Sequence, residues 1–280
     1  MQYNWQQSDW PHFRYDDAES KHLLYQYAQL SGKLVGGVNQ LMASQSDETY
    51  IDLMVSEAIQ TSEIEGELLN REDVRSSIKN FLGLNEPPIR VADARTEGLA
   101  ALMIDVRKVF DKHLTKEKLC QWQSMVVIND SQSILQKAVE VGSWRKSREP
   151  MQIVSGAIFG VIGYEKVHYI APPADRLEDE MARFIAWFNE TQNLPGPVKA
   201  AIAHLWFESI HPFEDGNGRV GRAIAELALA QDLGHPPLLS LSTEINRDRN
   251  DYYNQLNRAS CGDMDITNWV VWFSQLVFVG

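Results

Sequence analysis

The densest chemistry in this chain lies between His211 and Arg222, which reads His-Pro-Phe-Glu-Asp-Gly-Asn-Gly-Arg-Val-Gly-Arg. The His211 imidazole can serve as a general base near neutral pH. Asp215 offers the hard oxygen ligand that magnesium takes when it also binds substrate phosphates. A glycine-rich turn, Asp215-Gly-Asn-Gly218, that opens a helix presents backbone N–H groups at the positive end of the helix dipole, a seat for phosphate or another anion. Arg219 and Arg222 are three apart, hence on one helical face, and their guanidinium forks suit phosphate oxygens. Singly, these features have plainer explanations as a helix-end histidine, a tight turn and a solvated arginine pair. Their conjunction specifies phosphate chemistry.

The flanking sequence must hold these groups in place. Val198, Ile202, Leu205, Trp206 and Ile210 predict an amphipathic helix that delivers His211 at its C-terminal end. Pro212 forces the chain out of that helix, Phe213 anchors the turn, and a second helix starts near Gly218 and runs through Ile224, Leu227 and Leu229. Helical spacing also marks Leu23–Leu34, Leu99–Phe110 and Leu177–Asn189. Gly83 to Arg90, with paired prolines, separates two helix-rich blocks. The strand signal falls between Met151 and Ile170, where apolar residues alternate with Gly156, Gly160 and Gly163. The apolar run from Trp269 to Val279 reads as a docked helix that led into more chain. The expected fold is therefore all-α with a small β-hairpin flap.

Composition narrows the partners. With 280 residues and 44% apolar content, the chain can bury a substantial core. Its net charge of -12 argues against direct nucleic-acid binding. No run approaches the roughly 18 apolar residues needed to span a bilayer, and no secretory signal is visible, so no membrane partner is expected. Cys120 and Cys261 lack metal-ligand spacing and read as two buried thiols in a cytoplasmic protein.

Residues 211–222 resemble the core motif of the Fic family, His-x-Phe-x-Asp/Glu-Gly-Asn-Gly-Arg-x-x-Arg, with His211, Phe213, Asp215, Gly216, Asn217, Gly218, Arg219 and Arg222 in every fixed position. The resemblance implies a protein adenylyltransferase that moves AMP from ATP to a Ser, Thr or Tyr hydroxyl of a target protein. In that reading His211 deprotonates the hydroxyl and Asp215 holds Mg2+. Asn217 and the Gly216 and Gly218 amides cradle phosphates, Arg219 and Arg222 bind them, and Val220 and Gly221 belong to the same nucleotide-binding segment. Thr61-x-x-x-Glu65-Gly66 is similar to the family's inhibitory motif, which implies that Glu65 blocks Arg222. The implied division is an N-terminal helical region, 1–86, with an inhibitory helix at about 52–66, and a catalytic core, 87–280, with a flap at about 151–170. Tyr164, Lys166, Val167 and His168 are the expected target-binding flap residues, by strand addition. Tyr253, on a predicted helix, is the candidate for the adenine face. The aromatic start, Trp5 to Tyr15, is expected to pack or to form an interface. Self-modification and a homodimer are compatible with this reading. The alternatives are a transferase using UMP or phosphocholine donors, a hydrolase that removes AMP, and a catalytically silent nucleotide-binding or interaction module.

Overall fold

The computed structural model describes residues 2–38, 43–128, 139–155 and 166–279. Among these are eleven α-helices and one two-stranded sheet. They are α1 (Asp17–Val38), α2 (Ala43–Ile64), α3 (Arg71–Phe81), α4 (Ala94–Lys108), α5 (Lys116–Val126), β1 (Gln152–Ser155), β2 (Lys166–Ile170), α6 (Leu177–Glu190), α7 (Gly196–Ile210), α8 (Asn217–Leu233), α9 (Leu241–Arg247), α10 (Arg249–Cys261) and α11 (Thr267–Val279). Local signals set many boundaries. The side chains of Asn70, Asp93, Thr115 and Ser240 accept from first-turn N–H groups of α3, α4, α5 and α9. Gly234, at φ 73°, ends α8 in a left-handed cap.

The pair α7–α8 forms the centre. All fifteen residues of α7 are buried, so the expected amphipathic helix is corrected to one enclosed on every side. The sequence hides this because Lys199, His204, Glu208 and Ser209 read as an outer face. They are buried too, and each must therefore find polar partners inside. α6 and α11 cover α7, α4 and α5 pack on α8, and α2 lies across α8 and α9. One hydrophobic cluster runs from Ile51 and Val55 of α2 through Phe207 and Ile224 to Phe273 of α11.

β1 and β2 pair antiparallel, Gln152 opposite Ile170 and Ser155 opposite Lys166, with a bulge between Ile153 and Val154. The glycines at 156, 160 and 163 lie outside the described residues. The aromatic N-terminus packs onto the core. Trp5 Nε1 donates to the Ile170 carbonyl (2.6 Å), Trp10 Nε1 to Glu180 (2.9 Å) and Asn4 Nδ2 to Ser209 Oγ (2.8 Å). It ties β2 to the end of α7. Cys120 and Cys261 are free thiols, and half-buried where full burial was expected. No helix among the described residues is long and apolar enough to cross a membrane.

Candidate active site

His211 caps α7 with a left-handed backbone, φ 50° and ψ 61°, the only positive φ of a non-glycine residue among the described ones. Such a conformation persists when the surroundings over-determine it. Pro212 disfavours the helical region for the residue before it, and Arg145 holds the result. Arg145 Nε donates to the His211 carbonyl (2.8 Å), Nη2 to the Pro172 carbonyl (2.5 Å), and its backbone N–H to the Pro212 carbonyl (2.9 Å). Burial lowers the Arg145 pKa to about 10, which leaves it cationic at neutral pH against the negative end of α7.

Phe213 is fully buried against Trp144 and Phe207, with ring centroids 4.9 and 6.2 Å away. Asn217 closes the turn beneath it. Its Oδ1 accepts from the Phe213 N–H and its Nδ2 donates to the Phe213 carbonyl, both at 2.9 Å. Gly216 is left-handed (φ 85°), and a β-carbon there would also meet Val127 Cγ2 at 2.8 Å. Its N–H donates to Asp215 Oδ1 at 2.6 Å. Of the three expected cradle groups, the Asn217 carboxamide and the Gly216 amide thus close the turn in this structure. Gly218 occupies the second position of α8, where an amide has no intrahelical acceptor. Val220 faces the core, and the space beside Gly221 is filled by Glu208 and His204.

Both motif arginines are buried and both meet the segment that follows α2. Arg222 Nε donates to Thr61 Oγ1 (2.7 Å), and Nη2 donates to the Thr61 carbonyl (2.9 Å) and to Glu65 Oε1 (2.7 Å). Burial alone would lower the Arg222 pKa, but Glu65, with Tyr252 and Tyr253, holds the guanidinium above its ordinary value. Arg219 Nη1 donates to Glu67 Oε2 and to the Val126 carbonyl, each at 3.0 Å, and Nη2 stands 3.6 Å from Asp215 Oδ1. The left-handed turn at Gly66 (φ 84°) lets Glu65 and Glu67 reach neighbouring arginines. A β-carbon on Gly218 would collide with Glu65 Oε1, so the carboxylate lies directly over the start of α8. A carboxylate thus sits where the helix dipole and two cations favour an anion.

The remaining expected residues divide. Tyr253 is 40% exposed, and its hydroxyl donates to the carbonyl of Ile64, the residue before Glu65, at 3.3 Å, which places it on the rim of the arginine cluster. Asp215 is 55% exposed. Among the described residues no three His, Cys, Asp or Glu side chains gather as a metal site. A cation would rest on Asp215 with phosphates and waters completing its shell, the arrangement that suits magnesium. On the flap, Val167 is 40% exposed, the His168 carbonyl accepts from Cys261 Sγ (3.5 Å), and Lys166 pairs with Ser155. Tyr164 lies outside the described residues.

Sequence reasoning missed four contributors. Arg145 and Gln123 come from distant segments and carry no local signal. Gln123 Nε2 donates to the carbonyls of Asp215 (3.3 Å) and Glu140 (3.2 Å). Glu67 was legible only as the acidic residue directly after the inhibitory motif. Glu208, whose Oε2 stands 3.7 Å from His211 Nδ1, had the signal of helical spacing.

Fold and site together describe a helical protein organised around a glycine-rich helix start beside an arginine pair and a histidine. Residues 113–229 match the family model described as Fic/DOC family, and the chain carries a Fic/DOC family domain. Residues 3–84 match a domain of unknown function, DUF4172. The chain is 35% identical over 98 residues to the protein adenylyltransferase Fic of Nematostella vectensis, covering 34% of this chain and 22% of that protein. With the Culex quinquefasciatus protein of the same name it is 38% identical over 98 residues, covering 34% and 19%. The matched stretch thus spans about a fifth of these relatives. Among solved structures, a Fic family protein from Desulfovibrio desulfuricans G20 superposes with a TM-score of 0.65 at 23% identity, over 96% of this chain and 74% of that one. A Fic domain containing signaling protein from Bacteroides thetaiotaomicron VPI-5482 gives 0.63 at 16% identity, over 93% of each chain. These likenesses show a shared fold.

Proposed function

We propose that this protein is an adenylyltransferase that transfers AMP from ATP to a hydroxyl side chain of a target protein, and that Glu65 and Glu67 hold it inactive. The observation that carries this reading is the double pairing at the start of α8: Glu65 on Arg222 at 2.7 Å and Glu67 on Arg219 at 3.0 Å. Two buried guanidinium groups beside an uncapped helix start suit the phosphates of a nucleotide, and the carboxylates stand in their place. The names of the curated relatives support AMP as the group transferred.

In the reaction, His211 removes the proton from the target hydroxyl as its oxygen attacks the α-phosphorus. The bond from that phosphorus to the oxygen bridging it to the β-phosphate breaks, and pyrophosphate leaves. Arg219 and Arg222 neutralise the phosphates and fix their direction, which is most of what such a transfer requires of a protein. Asp215 would hold magnesium, which neutralises phosphate charge when bound. At the start of β2, where Val167 is 40% exposed and precedes the carbonyls taken by Cys261 and Trp5, an extended target segment could align.

The test is incubation of wild type, Glu65→Gly and His211→Ala with magnesium and, separately, labelled ATP, UTP and CDP-choline. Label from ATP on protein, increased in Glu65→Gly and lost in His211→Ala, supports the proposal. Preference for another donor, or label independent of His211, rejects it.

A further inference from the structure

A carboxylate inside an apolar helix is costly unless donors meet it. Glu208 lies in the fully enclosed α7, one turn before His211, and its surroundings contain unmatched polar atoms. The Nδ1 atoms of His204 and His211 and Oε1 of Glu208 are all buried without a hydrogen-bond partner. The Oε2 of Glu208 lies 3.7 Å from His211 Nδ1. On its other side, a β-carbon at Gly221 would meet Glu208 Oε1 at 2.7 Å and His204 Nδ1 at 3.2 Å, so the carboxylate and this imidazole share the space that the glycine leaves. His204 Nε2 is 2.9 Å from the Tyr252 hydroxyl.

These atoms fall into a row, Tyr252–His204–Glu208–His211, with one consistent proton assignment. Burial keeps the Tyr252 hydroxyl protonated and the His204 ring neutral. When Tyr252 donates to His204 Nε2, the single ring proton of His204 sits on Nδ1 and faces Glu208. The titratable and charged groups facing Glu208 are His204 and His211 on its own helix and Arg222 on α8. Burial alone would raise its pKa, but the surrounding groups, the His211 ring foremost, bring it below the ordinary glutamate value, so it is ionised at neutral pH.

We infer that Glu208 is a positioning residue for His211: its carboxylate accepts the Nδ1 hydrogen of the ring and leaves Nε2 as the proton acceptor. The inference rests on the proposal that His211 is the base. Nδ1 is the buried nitrogen of a ring that is 16% exposed, so Nε2 is the one left for a target hydroxyl. A carboxylate behind an imidazole selects tautomer and orientation without titrating itself. The gap of 3.7 Å is of the kind that closes when substrate arrives.

The test combines histidine-selective nitrogen NMR with kinetics. Wild-type His211 is expected as the Nδ1–H tautomer, and Glu208→Gln, whose carboxamide can face the ring as donor or acceptor, should turn it into a mixture of tautomers. In Glu65→Gly protein, adding Glu208→Gln should lower kcat by about 10- to 100-fold while KM for ATP stays within about twofold. A core role alone predicts the same His211 tautomer in both proteins and an unchanged kcat, and that result overturns the inference. An Nε2–H tautomer in the wild type overturns it without any variant, which covers a Glu208→Gln protein that does not fold. If Glu65→Gly shows no transfer at all, the functional proposal fails, and the tautomer still decides the role of Glu208.

Discussion

Replacing Glu65 by glycine removes the carboxylate from the start of α8 and leaves Arg222 its two hydrogen bonds to Thr61. A hydrogen bond to a charged group contributes about 1.5–3 kcal/mol. The Glu65 side chain is 30% exposed, so the lower part of that range, about 1.5–2 kcal/mol, applies. A phosphate that must displace this contact binds more weakly by that amount. At about 1.4 kcal/mol per decade, Glu65→Gly should bind ATP about 10- to 30-fold more tightly than wild type. Glu65 lies one residue beyond α2, so the glycine adds little helix penalty. Isothermal calorimetry with ATP and magnesium reads the affinity, and ATP should raise the Tm of the variant more than that of the wild type. Equal affinities in two folded proteins, within twofold, would refute the reasoning that Glu65 occupies the nucleotide seat.

Glu67→Gln should add a further gain of about 2- to 5-fold in ATP affinity on the Glu65→Gly background, since Arg219 keeps the Val126 carbonyl and Asp215 as partners; calorimetry of the double variant checks this. His211→Ala should reduce transfer by about 100- to 10,000-fold with ATP binding within about twofold, measured by label incorporation alongside calorimetry. Asn217→Ala removes both side-chain bonds to Phe213 and should destabilise the fold by about 1–3 kcal/mol, read as a fall in the urea midpoint at unchanged slope. Asp215→Ala should raise the magnesium concentration needed for half-maximal transfer by about tenfold or more in a metal titration, with metal-free ATP binding unchanged.

The parts of the site that were legible in the sequence are local. Pro212 ends α7, the glycines make the turn, and the arginine spacing puts both cations on one face, all within one stretch of chain. The Thr61–Glu65–Gly66 spacing was legible as well, and the structure seats Glu65 on Arg222. What escaped depends on long-range packing. Arg145 reaches His211 across 66 residues and Gln123 reaches Asp215 across 92, and neither segment marks itself as a partner. The misjudged character of α7 has the same origin. Lys199, His204 and Glu208 look like an outer face until α6, α10 and α11 enclose them. The Asn217 carboxamide matches the Phe213 peptide four residues away, a closure that spacing alone does not reveal.

In the proposed reaction the arginine-lined start of α8 directs attack to the α-phosphorus of ATP. The most direct measurement incubates Glu65→Gly with magnesium, a lysate as acceptor source, and ATP labelled at the α-position or, in parallel, at the γ-position. The expected result is α-label on protein, γ-label only in released pyrophosphate, and neither on protein when His211 is also alanine. γ-label on protein, or α-label that survives loss of His211, would contradict it.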